Sequence, residues 1–128
     1  MPKVKLWNDL TPAQKVKRWE GVERVMKKLT PHQRKKHFDM GTWGEETGCG
    51  TVACVAGHCG LDPSFRRQGF RMRVVGYGSR WEIYNPSEFF GMAGYDNIFT
   101  NRRVRTYENA RAAISEYLED LRADAKRS

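Results

Sequence analysis

Apolar positions in the first forty residues recur at helical spacing. Val16, Trp19, Val22, Met26 and Leu29 form one stripe, and Lys15, Lys17, Arg18, Arg24, Lys27 and Lys28 fall largely off it. The pattern predicts an amphipathic helix with a basic exposed side, running to about Leu29. Its start is marked by Thr11-Pro12-Ala13-Gln14, with Thr11 as N-cap, Pro12 at the first helical position and Gln14 placed to close a capping box. The signal returns nineteen residues later as Thr30-Pro31-His32-Gln33, opening a second basic helix in which Phe38 stands where Trp19 stands in the first. Met40 to Gly48 then reads as a loop, with Trp43 folding back onto the core.

Gly48 to Gly60 is the longest run without a charged side chain, and it holds all three cysteines. It predicts a Gly-rich turn, with Thr51 capping a short buried helix over Val52 to Cys59 and Gly60 taking the stop. Asp62-Pro63 opens a further turn of helix that carries Arg66 and Arg67 and ends by Gly69. The period then changes to two. Phe70, Met72 and Val74 alternate with Arg71, Arg73 and Val75; Gly76 to Ser79 turns; Trp81 and Ile83 alternate with Arg80, Glu82 and Tyr84. Asn85-Pro86-Ser87-Glu88 starts another helix, whose Phe89, Phe90 and Met92 precede a glycine stop at Gly94, and Tyr95 to Phe99 adds a turn. Thr106 caps a last helix with a stripe of Ala110, Ala113, Ile114, Tyr117, Leu118 and Leu121, after which Ala123 to Ser128 is predicted to fray. The expected architecture is α+β: a mostly helical single domain over residues 1–128. It comprises a basic helical segment at 11–40, a central helix at 48–60, one β-hairpin at about 70–84 and a C-terminal helix at 106–122.

Charge sharpens this picture because it is uneven. The chain carries a formal net charge of +8, and residues 1–40 alone hold eleven basic and four acidic side chains, whereas 106–128 hold four and five. Such a basic N-terminal segment attracts anionic partners in a salt-dependent way. The candidate contact residues are Lys15, Lys17, Arg18, Lys27, Lys28, Arg34, Lys35 and Lys36 from the two helices, with Arg66, Arg67, Arg71 and Arg73 from the centre. Trp7, Tyr77 or Trp81 would stack on bases where exposed. The junction at Leu29-Thr30-Pro31 lacks a turn glycine and the second helix is short, which argues against a duplex-reading helix-turn-helix. No apolar run follows Lys3 and Lys5, and no uncharged stretch reaches spanning length. The expected setting is therefore cytoplasmic, with reduced thiols and no membrane partner.

Two kinds of chemistry are open at the cysteines. Cys49, ahead of a helix start, is the candidate nucleophile of a thiol enzyme. His58 lies nine residues on, about 13 Å along a helix at ~1.5 Å per residue, so the base would be His32 or His37. Zinc is the other possibility, with Cys54 and His58 at i, i+4 on one helix face and Cys49 folding over. The chain has no Cys-x-x-Cys pair, and no cofactor is expected.

The residues Phe38-Asp39-Met40, Trp43 and Cys49-Gly50-Thr51-Val52-Ala53-Cys54-Val55-Ala56-Gly57 resemble a pattern found in small uncharacterised proteins of bacteria and their phages. There, Cys-Gly-Thr-x-x-Cys-x-Ala-Gly is followed by a Phe-Phe-Gly-type helix, here Phe89-Phe90-Gly91, and a C-terminal helix. The similarity spans roughly residues 38 to 121. It implies a phage or mobile-element setting, in a host cell's cytoplasm, where small basic proteins often act by binding and where the partner could be host machinery such as a defence system. The expected function is a non-catalytic binding protein for nucleic acid, a nucleoprotein complex or an acidic protein surface. The alternatives are the thiol enzyme built on Cys49 and a structural or oligomerising module.

Overall fold

A computed structural model describes residues 5–36, 38, 40, 45–47, 50–52, 54–70, 72–75, 80–83, 86–101 and 103–127, with the backbone alone at 36 and in the strands. After a 3-10 turn at Trp7–Asp9, helix α1 spans Pro12–Lys28 and α2 Pro31–Lys36. Both begin as a capping box. In α1 the Gln14 amide N–H donates to Thr11 Oγ1 at 3.2 Å and Thr11 N–H to Gln14 Oε1 at 2.9 Å. In α2 the Gln33 N–H donates to Thr30 Oγ1 at 3.2 Å and Thr30 N–H to Gln33 Oε1 at 2.8 Å. Helix α3 spans Val55–Leu61, α4 Pro63–Arg67, α5 Pro86–Phe90 and α6 Met92–Gly94; a π-helical turn follows at Tyr95–Phe99, and α7 covers Tyr107–Arg127.

The core is a helical one. Helix α7 lies along α1 in the most extensive contact between any two elements. The two stripes that meet are Trp19, Val22, Val25 and Met26 of α1 and Ala110, Ile114, Leu118 and Leu121 of α7. Trp19, fully buried, is ringed by Phe90, Phe99 and Tyr117 at centroid distances of 5.8, 5.6 and 4.9 Å, and its indole N–H donates to the Phe90 carbonyl at 3.0 Å. Phe65, Phe70 and Phe89 extend the aromatic packing toward α4.

The sequence-based α+β class is corrected by this arrangement. The described chain is mostly helical. The extended segments, moreover, are not confined to a single hairpin at 70–84. Short strands β1 (Glu45–Thr47), β2 (Gly50–Val52), β3 (Met72–Val75) and β4 (Arg80–Ile83) pair antiparallel in the order β2-β1-β4-β3, with Glu45 opposite both Val52 and Arg80. Residues 45–47, expected in a loop, are thus strand, as is Thr51, expected as a helix cap. The cap of α3 is Cys54, whose Sγ accepts from the Gly57 N–H at 3.5 Å. The helix starts later than expected because residues 50–52 spend their backbone groups on β1.

Two more expectations are corrected. Met92 is 59% exposed, since the turn at Gly91 (φ 92°) breaks the helix after Phe90 and swings the next residue outward. The tail does not fray at Ala123 but stays helical to Arg127, where Lys126 and Arg127 in the last turn suit the negative helix end and Arg127 pairs with Asp124. Among the described residues no helix is long and apolar enough to cross a membrane.

Candidate anion-binding surface

Arg24 fixes where the basic surface lies. Its two terminal nitrogens meet Asp62 Oδ1 and Oδ2 at 3.2 and 2.9 Å, and Asp62 Oδ2 also accepts the Ser64 and Phe65 N–H groups as the N-cap of α4. One carboxylate therefore starts α4 and ties it to α1. Burial works to raise the Asp62 carboxyl, but the Arg24 and Phe65 hydrogen bonds and the charges of Arg24 and Lys28 outweigh it, and the group stays ionised below the usual carboxylate range. At Gly21 the missing side chain admits Phe65 of α4, whose Cζ would stand 3.0 Å from an added Cβ.

That docking aligns two sets of cations. Lys17, Arg24 and Lys28 are spaced i, i+7 and i+11, within about 20° of one row on the helix. The row runs beside α4, which shows Arg66 and Arg67 to solvent. The acids of α1 are spoken for: Glu20 meets Arg122 of α7 at 3.1 Å and Glu23 meets Lys27 at 3.5 Å. The result is a ridge of Lys17, Lys28, Arg66 and Arg67, with Arg24 neutralised at its centre.

The expected contact residues divide sharply. Lys28, Lys35, Arg66 and Arg67 are exposed. Arg18 is not; it is 7% exposed, and the expectation of a surface contact is corrected. Its Nη1 donates to the carbonyls of Lys5 and Phe89 at 2.8 and 2.9 Å, its Nη2 reaches Gln68 Oε1 at 3.4 Å, and its guanidinium lies 3.7 Å from the Phe89 ring centre. Burial pulls its pKa down to about 10. Arg34 also faces inward, donating from Nε to the Leu29 carbonyl at 2.9 Å and lying 4.6 Å over the Tyr107 ring. Lys15 sits 5.1 Å over the Trp7 ring, so that tryptophan is a half-buried platform for a lysine rather than a free stacking surface. The side chain of Lys36, all of Arg71 and Tyr77, and the side chains of Arg73 and Trp81 lie outside the described residues.

Lys17 is among the cations expected to contact an anionic partner, but sequence reasoning does not align it with Arg24 and Lys28. The signal is its seven- and eleven-residue spacing from Arg24 and Lys28. Gln68 carries none, since its role comes from α4 docking across Gly21.

The thiol and metal possibilities meet a different outcome. Cys49 and His37 lie outside the described residues, and His32 is exposed on α2. Cys54 and Cys59 are buried, and burial, with Cys54 and Asp62 nearby, pushes the Cys59 thiol well up, which suits packing and not nucleophilic attack. His58 is buried and stacks on Phe38, whose ring meets Tyr107 edge-on. Among the described residues no three His, Cys, Asp or Glu side chains gather where they would hold a metal ion.

Compared with protein-family models, curated proteins and solved structures, the chain finds no match.

Proposed function

We propose that the protein is a small cytoplasmic, non-catalytic binding protein whose α1/α4 ridge engages the phosphate backbone of a nucleic acid. The observation that carries this reading is the segregation of charge on α1. Lys17 and Lys28 stand with Arg66 and Arg67 on the α4 side, while Glu20 and Glu23 are occupied by Arg122 and Lys27. Cations without an ion pair among the described residues suit a polyanion, whose condensed counterions are released on contact, and they make no demand on base sequence. The resemblance of Cys49 to Gly57 to small phage and bacterial proteins supports the same setting.

The experiment is purification of the full chain at low and at high salt, followed by native mass spectrometry and absorbance at 260 and 280 nm. Nucleic acid that co-purifies at low salt and is stripped at high salt is the expected outcome. Protein free of nucleic acid at both salts removes the reading and turns attention to an acidic protein partner.

A further inference from the structure

Next to the ridge is a recess of about 420 Å³, bounded by Lys5, Leu10, Gln14, Lys17, Arg18 and Gln68. Three of these six are cations, and no carboxylate is among the described residues that line it. Arg18 forms a section of its wall, nine-tenths buried, and its described partners are neutral: two backbone carbonyls, one side-chain amide oxygen and the Phe89 ring. A guanidinium has five N–H donors, and these three bonds leave the Nε–H and one Nη2–H over. The amides are oriented too. Gln14 Oε1 is committed to the Thr11 N–H, which leaves its NH₂ group as a donor.

Burying a cation beside two others, with no carboxylate among the described lining residues, is costly, and an anion in the recess would offset that cost. We propose that this recess is a discrete site for a phosphate group, held by Arg18 and Gln14 with Lys5 and Lys17 closing over it. The inference shares Lys17 with the ridge reading but differs from it in kind: a polyanion spreads over a charged surface, whereas this site takes one oxyanion in a fixed fork of donors. The phosphate could come from free orthophosphate, a nucleotide or the phosphorylated end of an oligonucleotide, which present the same chemistry.

The test uses the full chain, ¹⁵N-labelled, titrated with sodium phosphate against sodium chloride at constant ionic strength. Saturable one-to-one shifts at Gln14, Lys17, Arg18 and Gln68 with phosphate, and none with chloride, are expected. Lys5→Ala and Lys17→Ala, both at exposed positions, should each weaken phosphate roughly tenfold, the loss expected of one charged hydrogen bond. Arg18→Met should abolish binding if it folds; if it does not, the rim variants decide. The triple variant Lys28→Glu, Arg66→Glu, Arg67→Glu should keep phosphate binding while losing any nucleic acid held by the ridge, so the two readings fail separately. Adenosine monophosphate and oligonucleotides with and without a 5′ phosphate then distinguish the source. Shifts that grow linearly, that chloride reproduces, or that survive both rim variants at full affinity overturn the proposal.

Discussion

Arg18 is a cation on a row that otherwise reads as core. It shares the i, i+4, i+7, i+11 spacing with Val22, Val25 and Leu29, all buried, and that row, not the hydropathy of residue 18, decides where its side chain goes. Small residues are equally decisive. Gly94 stands against the fully buried Trp19, and a Cβ there would overlap the indole ring well inside contact distance. That ring is held by its hydrogen bond to Phe90 and by three aromatic neighbours, so it has nowhere to move. Gly94→Ala should cost about 1–3 kcal/mol in urea unfolding, the range for overpacking a tight core. Asp62 gives a prediction in pH. Its folded pKa lies below the unfolded value of about 3.8, so its ionised form contributes stability above that value, and the contribution is lost as pH falls through the folded pKa. Asp62→Asn keeps an N-cap but loses the charge. With Arg24 39% exposed, solvent screening limits the loss at pH 7 to about 1 kcal/mol. The difference between the two proteins should shrink as pH falls below about 4; a gap unchanged down to pH 2 would show that the charge contributes nothing.

At the scale of elements, what can be read from the chain is what is encoded locally. Both capping boxes and the Asp62 cap depend on residues within three of each other, so Thr11-Pro12-Ala13-Gln14, Thr30-Pro31-His32-Gln33 and Asp62-Pro63 announce α1, α2 and α4 without knowledge of the rest. The C-terminal stripe is legible for the same reason, being a single periodicity sustained over several turns. The start of α3 is not. Thr51 is the better cap by chemistry, yet its backbone is committed to β1 through the Thr51–Glu46 pairing, a partnership that no local spacing reveals, and a thiol at Cys54 takes over the cap. Strands of three or four residues give too few alternations to be told from loop, which is why residues 45–47 read as loop and the extended segments as a single hairpin. The basic surface is half legible: charge excess places it in residues 1–40, but which cations face solvent depends on docking. Helix α2, at six residues, is too short to persist by propensity. It leans on its box and on Arg34 bonding to Leu29. Thr30→Ala should therefore remove about 1 kcal/mol. The loss should appear as faster amide exchange confined to α2, with α1 and α7 unaffected.

On the scale of the whole molecule, the question is whether net charge or its arrangement governs partner binding. A chain of +8 will attract polyanions weakly wherever its cations lie. Arrangement adds something only if neighbouring cations engage together, because counterion release scales with the number of phosphates neutralised at once. Lys28, Arg66 and Arg67 lie on one side around the Arg24–Asp62 clamp, whereas Arg103 and Lys126 are exposed elsewhere, in the loop before α7 and at its far end. Reversing two charges at Arg66 and Arg67, or two at Arg103 and Lys126, changes the net charge equally. If arrangement governs, Arg66→Glu with Arg67→Glu should weaken binding of a fluorescent single-stranded oligonucleotide at least tenfold. It should also reduce the slope of log affinity against log salt by about 1.4, at ~0.7 for each phosphate no longer neutralised. Arg103→Glu with Lys126→Glu should leave the slope intact and shift affinity far less. Equal losses in both pairs would mean that only the total charge matters, and the ridge would then be a solvated helix face that keeps the protein in solution.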